Sequence, residues 1–85
     1  MNLNKQNLIN KIKYRSLYRG TKEMDIFVNS FVNKIISGLY FDELKQLIKL
    51  ISLDDEEIVK ISNGKINTDI DQNIIKLLID FKKNY

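Results

Sequence analysis

The chain has 85 residues, of which 44% are hydrophobic and 29% are charged, a composition typical of an ordinary soluble globular domain. It contains neither cysteine nor histidine, which excludes disulfides, thiolate and imidazole catalysis and the usual zinc sites. Its apolar runs are far shorter than the about 20 residues that a membrane-spanning helix requires. We expect a single domain over residues 1–85, not inserted in a membrane, that stays in the cytoplasm.

The charge is distributed unevenly along the chain. The net charge is +3, yet residues 1–22 alone carry +6, because they contain six cationic side chains and no acid. Such a basic pole attracts nucleic acid, and Tyr14 and Tyr18 could stack on bases. One open interpretation is therefore a small basic regulator associated with nucleic acid.

The first predicted helix covers about residues 4–17, where apolar side chains recur at helical spacing. We expect it to stop near Arg19, because a continued helix would place this cation inside the apolar stripe. Gly20 could then adopt the left-handed conformation of a C-terminal cap.

The second predicted helix, about residues 22–37, has the clearest amphipathic pattern in the sequence. Thr21 can cap its start, and Glu23 in its first turn complements the helix dipole. Gly38 follows as a candidate C-terminal cap. This helix is expected to be central in the core.

Three further helices complete an all-α prediction, a compact five-helix bundle. Their expected limits are residues 42–52, a short helix from a cap at Asp54 to Asn63 and Gly64, and a last helix from Thr68 or Asp69 to Lys83. The expected core includes apolar residues of the second, third and fifth helices: Phe27, Phe31, Ile35, Leu47, Ile51, Ile74, Leu77 and Leu78.

Two acidic patterns could be interpreted as cation sites. The run from Asp54 to Glu57 offers carboxylates to Mg²⁺ or Ca²⁺, but acids at a helix start already have a structural reason. The spacing of Asp69, Asp71, Asn73 and Asp80 resembles a calcium loop without its turn-forming glycine. We therefore expect no metal site.

The three glycines of the chain are widely separated, so no phosphate-binding loop can be assembled locally. We expect no nucleotide or flavin cofactor to be bound tightly by this chain.

The two arginines of this lysine-rich chain, Arg15 and Arg19, lie four residues apart, and the second is followed by Gly20 and Glu23. One interpretation is structural: Arg19 hydrogen-bonds carbonyls at a helix end while Glu23 complements a dipole. The other is functional: the planar guanidinium of Arg19, with its fork of N–H donors, and the carboxylate of Glu23 are presented to a partner.

The sequence resembles the SdhE-type FAD assembly factors of succinate dehydrogenase over about residues 8–83. Their Arg-Gly-x-x-Glu motif stands here as residues 19–23, and the acidic segment 53–58 fits as well. The chain departs from the usual pattern at Tyr18, Thr21 and Ile61.

The resemblance implies a five-helix, non-catalytic assembly factor. Such a factor binds the flavoprotein subunit of succinate dehydrogenase and promotes covalent attachment of FAD to it. The resemblance leaves open whether the flavoprotein of fumarate reductase is also a partner. Some relatives are described as antitoxins, so an antitoxin-type binding protein stays the alternative.

The resemblance and the helical wheel together predict a partner-binding surface, with the chain acting as a monomer. Ile26 is expected on the otherwise polar face beside Glu23, where it could serve as an apolar anchor. The predicted surface consists of one contact patch and two cations that steer an acidic partner: Arg19, Gly20, Glu23 and Ile26, with Arg15 and Lys11.

Overall fold

The computed structural model describes residues 3–17, 19–65 and 68–85, and the following statements concern these ranges. Five α-helices occur there and no strand, which confirms the all-α bundle. They are α1 (Leu3–Arg15), α2 (Lys22–Ile35), α3 (Phe41–Ile51), α4 (Asp55–Ser62) and α5 (Gln72–Lys83). The longest of them has 14 residues, and none could cross a bilayer.

The start of α2 follows the predicted capping pattern. Thr21 is extended, and its hydroxyl accepts a hydrogen bond from the Met24 amide at 3.2 Å. The helix ends in a short 3₁₀ turn, Ile36–Gly38, before the chain becomes extended at Leu39. The cap at Thr21 is therefore confirmed, and α2 begins where the sequence predicts.

The ends of α4 show one confirmed and one wrong expectation. Gly64 has a φ of 95°, the left-handed conformation that ends a helix without steric cost to glycine. The side chain of Asp54 makes no capping hydrogen bond. Asp54 contributes only its carbonyl, which accepts from the Ile58 amide at 3.0 Å.

The last helix begins later than predicted. α5 starts at Gln72 instead of near Thr68, whose hydroxyl accepts a hydrogen bond from the Ile70 amide in the preceding turn. The Asp71 amide donates to the Gln46 side chain at 3.0 Å, which attaches the start of α5 to α3.

A single hydrophobic core lies between the helices. Most of the predicted core residues are buried, but Ile35 is only half-buried and Leu77 is 37% exposed. The prediction for Leu77 is wrong because α5 is rotated so that Ile75 faces the core instead. Ile75 and Leu77 are two positions apart and so lie about 200° apart around the helix axis, which means that one helix face cannot hold both.

Candidate partner-binding surface

The Arg19 side chain is turned into the protein and is only 11% exposed. Its Nε donates to Asp55 Oδ1 at 2.8 Å, in an ion pair. Its Nη1 and Nη2 donate to the carbonyls of Ile51 and Leu53, at 2.5 and 2.7 Å. The guanidinium therefore joins the turn between α1 and α2 to the turn between α3 and α4.

The backbone of the same turn is held by two carboxylates. Asp55 Oδ2 accepts from the Gly20 amide at 3.0 Å, so Asp55 binds both the Arg19 side chain and the next peptide group. Asp25, in the first turn of α2, accepts from the Arg19 amide. We call Arg19, Gly20 and Asp55, with the two carbonyls, the Arg19 clamp.

The clamp changes the interpretation of the motif arginine. The functional interpretation has the Arg19 guanidinium bound to a partner, whereas here three of its five N–H donors are bound to acceptors within the chain. The last carbonyls of a helix lack intrahelical partners and favour a nearby cation. The contacts of Arg19 are those that the structural interpretation expects, although the helix end belongs to α3 and not to α1.

Gly20 does not have the positive φ expected of a left-handed cap. α1 ends at Arg15, and residue 20 lies in the turn before α2. A Cβ atom added to Gly20 would lie 3.0 Å from Asp55 Oδ2, closer than ordinary van der Waals contact. Glycine is favoured here because the carboxylate approaches the backbone closely.

Replacing Gly20 by alanine should therefore destabilise the protein by about 1 kcal/mol, since Asp55 is held by Arg19 and cannot move away freely. Chemical denaturation of the purified variant measures this loss. Gly38→Ala is the matched control, because no atom lies within 4 Å of its added Cβ. Equal stability changes in the two variants would contradict the close-contact explanation.

Glu23 and Ile26 lie on the surface of α2, as predicted. Glu23 is exposed, and Ile26 is 50% exposed although it is a large aliphatic side chain. Gly20 is also exposed, directly before this helix. We call Gly20, Glu23 and Ile26 the α2 patch. The Arg19 clamp fixes the turn that leads into α2.

Lys11 and Arg15 line a different surface, a groove between α1 and α3 whose described lining includes no residue of the α2 patch. Arg15 Nη1 donates to the Ser52 hydroxyl at 3.1 Å, just beyond the end of α3. The four residues predicted as one contact patch are therefore divided between the clamp and the α2 patch, and the two predicted steering cations line this separate groove.

Sequence reasoning missed Asp55 as the partner of Arg19. The one available signal was the position of Arg19 in an apolar stripe. A cation buried there needs hydrogen-bond acceptors, but the sequence does not identify them. Both carboxylate oxygens of Asp55 accept hydrogen bonds in the clamp. In the described ranges no acidic cluster is arranged to hold a metal. Tyr18 lies outside the described residues.

The fold and these contacts define a small helical protein whose Arg-Gly-x-x-Glu motif is built into a turn between two helices. The chain belongs to the Sdh5 family, described as the flavinator of succinate dehydrogenase, whose family model matches residues 10–82. The resemblance noted from the sequence is thereby confirmed. Searches of curated proteins and of solved structures found no match.

Proposed function

We propose that this chain binds the flavoprotein subunit of succinate dehydrogenase and promotes the covalent attachment of FAD, which belongs to that subunit. The match of residues 10–82 to the flavinator family carries the proposal. In this proposal the chain is a monomer and supplies no catalytic group. It acts through differential affinity, by binding best the conformation of the partner in which the flavin reacts.

The α2 patch is the surface that we assign to the partner. An aliphatic side chain that is half exposed beside a carboxylate combines an apolar anchor with a polar contact at its edge. The Arg19 clamp supports this patch from inside, because it fixes the turn that leads into α2. Arg19 is thus a positioning residue in this proposal, and Glu23 and Ile26 make the contact.

The clamp also weakens the case for a nucleic-acid-binding protein. That interpretation depends on the basic residues 1–22, and Arg19 is one of the six cations in this segment. Because its guanidinium is largely buried and paired with Asp55, it is not available to a phosphate backbone.

Ile26→Ala should lower flavinylation of the partner about fivefold or more, since an anchor of this kind contributes upwards of about 1 kcal/mol. Its melting temperature should hardly change, because the side chain is half exposed. The assay measures covalent flavin on the flavoprotein subunit by in-gel fluorescence. Glu23→Gln should act in the same direction.

Val59→Ala is the matched control, since Val59 is another partly exposed aliphatic side chain, on α4. It should leave flavinylation at the level of the unaltered chain. If Ile26→Ala and Val59→Ala behave alike, the α2 patch is not the contact surface.

A further inference from the structure

The groove that contains Lys11 and Arg15 combines a cationic edge with apolar walls. Its volume is about 420 Å³, which is within the range of sites that hold a ligand or a few side chains. Lys11 and Arg15 come from α1, and Lys49 comes from α3. The single carboxylate in the described lining is that of Asp69, so positive charge predominates. We call this site the basic groove.

The apolar part of the basic groove is aliphatic. Ile48, Leu53 and Ile70 contribute to its lining, and no aromatic residue does so in the described ranges. A single-stranded nucleic acid gains affinity by stacking its bases on aromatic rings, which this groove does not offer. A protein segment needs only a place for an aliphatic side chain and donors for its carboxylates.

Arg15 differs from Arg19 in what its guanidinium can still bind. Its one hydrogen bond to the described residues uses Nη1, which donates to the Ser52 hydroxyl. Ser52 in turn donates to the Ile48 carbonyl at 2.6 Å, so the acceptor is itself fixed in place. A guanidinium has five N–H donors, and most of those of Arg15 are left for a ligand.

We propose that the basic groove binds an acidic segment of a partner protein. A carboxylate of that segment pairs with the Arg15 fork and Lys49, and an adjacent aliphatic side chain packs against Ile48 and Leu53. The sequence suggested that the guanidinium of Arg19 binds a partner. In this proposal the guanidinium of Arg15 has that role, on another surface. This site does not depend on the flavoprotein being the partner, so the two proposals can fail separately.

The test titrates the full ¹⁵N-labelled chain with a blocked peptide in which one leucine is flanked by two glutamates on each side. Amide shifts are expected to be concentrated at the end of α3 and in residues 68–70. Lys49→Glu and Arg15→Lys should each weaken binding about fivefold or more, the second because an ammonium cannot reproduce the fork. Lys76→Glu, an exposed lysine of α5, carries the same charge change as Lys49→Glu and should bind as the unaltered chain does.

Two control ligands complete the test. Replacing the leucine of the peptide by glycine should weaken binding, because the aliphatic contact is lost. The proposal is overturned if the peptide causes no shifts at the groove, or if Lys49→Glu and Lys76→Glu weaken binding equally. It is also overturned if a single-stranded oligonucleotide of equal charge binds the same amides more tightly than the peptide.

Discussion

Phe31→Ala should lower the free energy of unfolding by about 3 to 5 kcal/mol, the usual cost of truncating a buried aromatic side chain to alanine. Phe31 is 1% exposed and lies in the middle of α2. Its ring centroid is 5.5 Å from that of Phe81 on α5, so the cavity would open between two helices. Urea denaturation followed by circular dichroism measures the loss.

Because small domains have only about 5 to 15 kcal/mol of stability, this variant could unfold outright. Phe31→Leu is the milder companion, with an expected cost of about 1 to 2 kcal/mol. Tyr40→Ala is the surface control, since Tyr40 is 77% exposed. A loss below about 1 kcal/mol for Phe31→Ala would contradict the position assigned to α2.

The Arg19 clamp gives the second large effect. Arg19→Lys keeps the charge, but one ammonium cannot reach Asp55 and both carbonyls in the geometry of the fork. We expect a stability loss of about 1.5 to 3 kcal/mol, typical of hydrogen bonds to a charged group. Flavinylation of the partner should fall as well, because the turn before α2 is no longer fixed.

Asp55→Asn breaks the same contact from the other side and should have a similar effect. The double variant should then cost less than the sum of the single variants, by about 1 kcal/mol or more. Flavinylation is compared well below every melting temperature, so that each chain is folded. If Arg19→Lys abolished flavinylation without loss of stability, Arg19 would contact the partner directly and the clamp would not be its role.

The helices could be predicted from the sequence because their determinants are local. The spacing of apolar residues defines α2 and α3, and Thr21 caps α2 through a contact only three residues away. The rotation of α5, which exposes Leu77, and its late start after Ile70 depend instead on packing against other helices. A pattern within one segment does not contain that information.

The sequence allowed one feature of the candidate site to be predicted, the shared helix face of two α2 residues, but not the contacts of Arg19. Ile26 and Glu23 share one helix face, and this follows from their spacing alone. The acceptors of the Arg19 guanidinium lie 32 to 36 residues further along the chain, so no local pattern connects them to the motif. For the same reason the sequence could set Lys11 and Arg15 apart as steering cations, but could not show the groove that they line with residues of α3.

The distant acceptors of Arg19 also limit how the motif can be transplanted. A synthetic peptide of residues 15–26 would contain every letter of Arg-Gly-x-x-Glu, but not the carboxylate and carbonyls that bind the guanidinium. In such a peptide the arginine would be hydrated and the turn would sample many conformations. A designed helical scaffold that is to carry this motif must therefore also carry the equivalents of Asp55 and of the carbonyls of Ile51 and Leu53.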